Sequence, residues 1–155
     1  MGTLNELLDS KHWTVENLKL FLEHDSSSIN EIDATGFAPL HRLLKIHTDK
    51  CTPDIIKLLI QYGADVNLKE EAGGSPLIIA LGQCVDKAII KTLLDAGIDH
   101  KECGQTVLCV ALYYGNSTDT FWMLVNHGFP LKGCFLHPTI LHCALESKHG
   151  TVDEG

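Results

Sequence analysis

The sequence is poor in basic residues and in aromatics, and it has no long apolar run. Lysine and arginine total 12 against 20 acidic residues, a formal net charge of −8. A surface of that sign repels a phosphate backbone, so no nucleic-acid partner is expected. It favours a basic partner only weakly, because such charge mostly keeps a protein soluble. No stretch approaches the ~18 apolar residues of a membrane-spanning helix, so no membrane association is expected. The N-terminus lacks the basic-then-apolar pattern of a secretory signal. Glu6 stands where a myristoylation motif needs serine or threonine.

The signatures of catalysis are also missing. There is no glycine-rich nucleophile elbow, no HExxH and no phosphate-binding loop, so neither an enzyme nor a cofactor is expected. Six cysteines (Cys51, Cys84, Cys103, Cys109, Cys134 and Cys143) are scattered without a CxxC pair. They read as reduced thiols of a cytoplasmic or nuclear protein. Cys109 and Cys143 sit among apolar residues as small core fillers. The group closest to a metal pattern is Cys134, His137, His142 and Cys143, and its Cys134-x-x-His137 gap fits a zinc site only loosely.

What is present is a repeat. The chain has 155 residues, 45% hydrophobic and 21% charged, enough apolar material for one continuous core. Pro39-Leu40, Pro76-Leu77, Val107-Leu108 and Ile140-Leu141 open successive units at spacings of 37, 31 and 33 residues. Gly63, Gly97 and Gly128 close them at spacings of 34 and 31. Each unit predicts two short amphipathic helices. Leu40, Leu43 and Leu44 make one apolar face at i, i+3 and i+4. Pro39 suits a first helical turn, and Gly63 ends the second helix of the unit. Gly36, Gly73 and Gly104 are expected at turns that need positive φ. One unit cannot cover its own apolar faces, so neighbours must stack.

The segment Asp33-Ala-Thr-Gly36-Phe-Ala-Pro39-Leu40-His41-Arg-Leu43 resembles the opening of an ankyrin repeat. Gly63-Ala64-Asp65-Val66-Asn67 is similar to the family's closing segment. Further openings follow at Gly74–Ala80, Gly104–Ala111 and Thr139–Ala144, so the resemblance covers about residues 14 to 149. It implies an all-α ankyrin-repeat solenoid of helix–turn–helix units with short hairpin-like fingers. The expected divisions are a degenerate N-terminal capping repeat over 1–30, repeats over 31–67, 68–100 and 101–132, and an incomplete last repeat over 133–155. It also implies that His41 and His142 are structural hydrogen-bonding groups, which argues against a metal site.

The departures can be counted. Leu40 to Gly63 spans 23 residues against 20 in the next two units, so three extra residues lie between helices around His47 to Pro53. The link from Gly97 to Leu108 is 11 residues against 14 from Gly63 to Leu77, so the third finger is expected to be clipped. The last repeat has a first helix near Ile140 to Lys148 and no room for a second. It is expected to be either a C-terminal cap in miniature or the cut end of a longer array, and the second is favoured because arrays normally finish on a polar cap.

The resemblance implies a protein–protein interaction module that presents a concave face and finger tips to a partner protein or peptide, possibly basic. By register, Ala34, Thr35 and Phe37 form the first finger tip, Glu71 and Ala72 the second, and Glu102 and Gln105 the third. Lys45, Ile46, Gln83, Tyr113 and Tyr114 fall on the concave side. Phe37 has no evident core role, and one of the Tyr113-Tyr114 pair is expected in the core, as is one of Phe121-Trp122. The stretch around Asn67 is similar to sequences accepted by an asparaginyl hydroxylase, although Asn67 is also the usual turn residue there. The chain is expected to be a monomer. The alternative is the docking fragment of a larger adaptor, of the ubiquitin-ligase substrate type, or of a pathogen effector.

Overall fold

Thr3, Thr14, Thr52, Ser75, Asp86 and Ser117 each stand one residue ahead of a helix, and each side chain accepts a hydrogen bond from a first-turn N–H. These caps satisfy donors that the helix leaves unpaired and so start helices at close intervals. A computed structural model describes residues 2–83 and 85–129, without the side chains of 100–106. The described residues form an all-α ankyrin-type arrangement of eight helices and no strand. These are α1 (Leu4–Asp9), α2 (Val15–His24), α3 (Pro39–Lys45), α4 (Pro53–Gln61), α5 (Pro76–Gly82), α6 (Lys87–Asp95), α7 (His100–Tyr113) and α8 (Thr118–Asn126). The expected helix at Ile140 to Lys148 and the Cys134, His137, His142 and Cys143 group lie outside the described residues. The chain divides into two compact units, Met1–Ile98 and Asp99–Gly155.

The first unit contains three helix pairs. Its first helices stack in the order α1, α3, α5, while the second helices α4 and α6 stack beside them. Leu40, Leu43 and Leu44 are buried, as the spacing predicts, together with Leu77, Ala80 and Leu81 of α5. The second helices contribute Ile55, Ile56, Leu59, Ile89, Ile90, Leu93 and Leu94. Each such side chain is worth roughly 1.5–3 kcal/mol of burial, gained only when neighbouring units cover it. Gly63 and Gly97 follow α4 and α6 at φ 99° and 97°, a backbone conformation that other residues adopt at a cost.

Side chains tie each repeat to the next. The Asn30 amide donates to the Gly63 carbonyl at 2.9 Å, and its Oδ1 accepts from the Asp65 N–H at 2.8 Å. Asn67, one repeat on, donates to the Gly97 carbonyl at 3.1 Å. His41 is fully buried. Its Nδ1 accepts from the Ala38 N–H at 3.3 Å and its Nε2–H donates to the Leu68 carbonyl at 2.7 Å. The ring is therefore neutral, with one tautomer fixed by its partners. Burial lowers its pKa below 6.5, against a smaller opposing pull from the Leu68 bond. The sign follows from linkage: an unfolded chain takes up this proton near pH 6.5 and the folded chain resists it. Stability from His41 is complete above that pH and is lost as the pH falls toward the lowered value. His47 is shifted the same way, again mainly by burial. Thermal midpoints are expected to drop between pH 7 and pH 5, and to drop less in a His41→Gln variant. Equal pH dependence of the two proteins would refute this role.

The three extra residues of the first full repeat have a use. The His47 ring meets Trp13 edge-on at 5.8 Å. Lys50 places its ammonium 4.9 Å from the same indole and within 3.4 Å of the Trp13 carbonyl. Trp13 is buried, so the longer loop covers an aromatic of the preceding repeat.

In the second unit, α7 packs on α8 through Val107, Leu108 and Ala111 and through Phe121 and Leu124, all buried. Here one expectation is corrected. Glu102 and Gln105 do not sit at a finger tip, because the backbone is helical from His100 to Tyr113. Gly104 lies in mid-helix rather than at a turn. Only Ile98 and Asp99 separate Gly97, in the turn after α6, from the start of α7. Three residues short, this link has no length for a finger, and helix takes its place. Asp99, directly ahead of the helix, is a residue type favoured at that position.

Candidate functional site

Two fingers are built alike. In the first, the Asp33 N–H donates to the Phe37 carbonyl at 3.1 Å and the Gly36 N–H to the Asp33 carbonyl at 2.9 Å. In the second, Glu70 bonds Gly74 at 3.0 Å and Gly73 bonds Glu70 at 2.8 Å. The acid that opens each finger also holds its tip. Asp33 Oδ1 accepts from the Thr35 N–H at 2.8 Å, and Glu70 accepts from Ala72 and Gly74 at 2.7 and 2.8 Å. Burial alone would raise the Asp33 carboxyl, but bonds from Thr35, Arg42 and Phe37 outweigh it and bring the pKa to about 2. Glu70 is lowered in the same way, its backbone bonds outweighing burial. The fingers are joined by a bond of 3.0 Å from the Glu71 N–H to the Gly36 carbonyl. Gly36, at φ 85°, tolerates this approach, whereas an added Cβ would come within 2.7 Å of the Glu71 carboxylate.

Behind the first finger lies a residue that sequence reasoning missed. The Arg42 side chain is only 4% exposed, and its guanidinium bonds Asp9 of α1 together with Asp33 and Thr35 of the finger. One buried cation thus fixes a helix, a finger and α3 against each other. No local pattern in the sequence marks it, since its partner Asp9 lies 33 residues away. Only the matching acid-x-x-Gly pattern at Asp33–Gly36 and Glu70–Gly73 hinted that the finger acids are structural.

The contact residues expected from the sequence fall into distinct settings. Ala34, Thr35, Glu71 and Ala72 are exposed at the finger tips, and Thr35 is held by Asp33 and Arg42. Lys45, Ile46 and Gln83 are exposed at the ends of α3 and α5. Phe37 departs from expectation: it is half-buried, with the Lys45 ammonium 4.7 Å from its ring centroid. The finger folds Phe37 back over the end of α3, so two expected contact residues form one cation–π pair.

The tyrosines also depart from expectation. Neither is in the core: Tyr113 is 81% exposed and Tyr114 51%. The buried stripe of α7 runs through Val107, Leu108 and Ala111, and Gly115 at φ 72° then turns the chain away. The two rings project past that stripe and meet edge-to-face at 5.1 Å. In the other pair Phe121 is buried and Trp122 half-buried, at 5.5 Å.

Little in this arrangement favours chemistry. Cys51 is buried, and burial pushes its thiol up to about 11, far from a nucleophile's range. Among the described residues no three His, Cys, Asp or Glu side chains are grouped to hold a metal ion, and no helix is long and apolar enough to cross a membrane. Asn67 is half-buried and donates to Gly97, so its amide serves the next repeat.

Comparison with known proteins agrees with the helix pairs. The ankyrin-repeat family model matches residues 35–71. An ankyrin repeat protein of fowlpox virus (strain NVSL) is 32% identical over 81 residues, which is 52% of this chain and 18% of the viral protein. Protein phosphatase 1 regulatory subunit 27 of Homo sapiens is 33% identical over 87 residues, covering 55% of this chain and 52% of that protein. Its Mus musculus counterpart is 32% identical over the same length. The matches therefore span about half of the two mammalian relatives and under a fifth of the viral one.

Proposed function

We propose, for a chain that belongs to the ankyrin-repeat family, that it binds a partner protein through its finger tips and the ends of its first helices. Ankyrin repeats generally mediate protein–protein interaction, and proteins built of them are typically non-enzymatic. The observation that carries the reading is the exposure of Tyr113 and Tyr114 at the end of α7, where the family register places contact residues. Large, stiff aromatic side chains anchor interfaces because they bury much area at little rotamer cost. Phe37 under Lys45, and Ile46 at 50% exposure, supply similar material at the end of α3. The fingers are fixed by Asp33, Glu70 and Arg42 before any partner arrives, so little entropy is lost on binding.

Affinity capture from a reducing lysate provides the test, comparing the wild-type chain with an Ile46→Asp, Tyr113→Ala, Tyr114→Ala variant of unchanged circular dichroism. Partners captured by the first and absent from the second are expected. An identical set from both would exclude these positions as the contact surface. A second reading rests on the similarity to protein phosphatase 1 regulatory subunit 27: the partner is then protein phosphatase 1 itself. Calorimetric titration of the purified phosphatase with this chain tests it, and absence of a saturable heat removes it.

A further inference from the structure

Helix α1 and the first finger enclose a groove of about 420 Å³, with Asn5, Glu31, Ile32 and Arg42 among its lining residues. Its charge is one-sided. Glu6, Asp9, Glu31 and Asp33 contribute four carboxylates, against the single guanidinium of Arg42. Asp9 and Asp33 are already committed to that guanidinium. Glu6 accepts only a helix-capping bond from the Thr3 N–H, at 3.0 Å, and Glu31 is exposed. The groove also has an apolar wall, since Ile32 and Ala34 line it and both are exposed.

A second observation is independent of the charge. Asn5 is only 3% exposed. Its amide nitrogen is anchored to the carbonyls of Glu31 and Phe37, both at 3.1 Å. Its Oδ1 has no hydrogen-bond partner. A buried acceptor without a donor is unfavourable, and few remain so in native proteins without a purpose. The groove thus offers spare negative charge, an apolar wall and, beneath its lining at Asn5, an unpaired acceptor that a small side-chain shift would present. A cation that carries several N–H donors on an aliphatic stem satisfies all three.

We infer that this groove receives an arginine side chain from the bound protein. The stem lies along Ile32 and Ala34, the guanidinium is shared by Glu6 and Glu31, and one N–H reaches Asn5 Oδ1. Arginine suits the site better than lysine because its planar fork presents five fixed donors to several acceptors at once. The inference rests on the protein-binding reading above and names one residue of the partner.

The test uses the 155-residue chain, labelled with nitrogen-15, and two small probes. N-acetyl-arginine amide is titrated in, followed by N-acetyl-citrulline amide, which has the same shape without the charge. Saturable shifts are expected at the Asn5 side-chain amide and at the backbone amides of Glu31 to Thr35, with arginine only. A Glu31→Gln variant, altered at an exposed position where folding is safe, should weaken binding by up to about fivefold, the scale of an exposed ion pair. Absence of saturation, equal response to citrulline, or shifts confined to other residues would overturn the assignment. The two readings fail separately. A chain that captures protein partners and ignores arginine loses only the groove. A chain that captures no partner loses the binding function itself.

Discussion

Replacing Arg42 with alanine is expected to destabilise the first unit by about 3 kcal/mol, the cost of breaking a buried ion pair from one side. That is a large part of the roughly 5–15 kcal/mol that holds a domain together. The side chain is 4% exposed, and its two carboxylate partners differ in how they respond to its loss. Asp9, with 58% of its side chain exposed, turns to water at little cost. Asp33, at 21%, keeps its charge in a partly dry site and loses the guanidinium that neutralises it. The finger then slackens, because Asp33 also fixes Thr35 and Phe37. An Arg42→Met variant restores the packed stem but not the charge, so it should recover only part of the loss. Adding Asp33→Asn to it should recover more, because the stranded charge is then removed. Denaturant midpoints of the three variants test this, and an Arg42→Ala protein within about 0.5 kcal/mol of wild type would show the network to be idle. The pH dependence adds a check. A carboxyl brought down to about 2 from an unfolded value of 3.8 stabilises the fold above the unfolded value, and that stability is lost as the pH falls toward 2. In Arg42→Ala this acid-side slope should flatten.

The Tyr113→Ala, Tyr114→Ala double variant is expected to lose about tenfold to a hundredfold in partner affinity, the scale of interface anchors. Its folding stability should shift by no more than about 0.5 kcal/mol, as befits surface positions. Rings exposed to 81% and 51% contribute little to the core, yet they hold each other edge-to-face and so meet a partner already oriented. The single variants should not add up to the double, since each ring braces the other. Calorimetry with the captured partner, run beside thermal melts, separates the two effects. If the double variant melts markedly earlier, the rings are structural, and the assignment of this pair to the contact surface is lost.

The helix pairs were legible because a repeat displays its own period. Pro39, Pro76, Gly63 and Gly97 mark where helices start and stop, and the residues between them alternate as stacking demands. The three extra residues after α3 were countable too, although nothing local foretold that they would cover Trp13. Arg42 was not legible. Its partner Asp9 lies 33 residues away, and such long-range pairings leave no local pattern. Asn30 and Asn67 share the 37-residue spacing of Pro39 and Pro76, but nothing local shows that their amides would serve the carbonyls of Gly63 and Gly97. Gly104 reads locally as a turn signal, yet it lies within α7. The shortness of the link was the stronger evidence, and helix filled the span from His100. Register puts the tyrosine pair at the end of α7, but its exposure depends on the buried stripe stopping at Ala111 and on the turn at Gly115. No periodicity within the helix could show that.

Site-specific photo-cross-linking tests most directly whether the fingers and first-helix ends form the binding surface. A photoreactive residue is placed at Gln83 or Tyr114 in one set of 155-residue chains, and at Lys57 or Lys91, exposed on the second helices, in another. Covalent adducts with a partner protein are expected from Gln83 and Tyr114 and not from Lys57 or Lys91. Adducts from the second-helix positions, with none from the other two, would contradict the account and move the binding surface to the opposite side of each repeat.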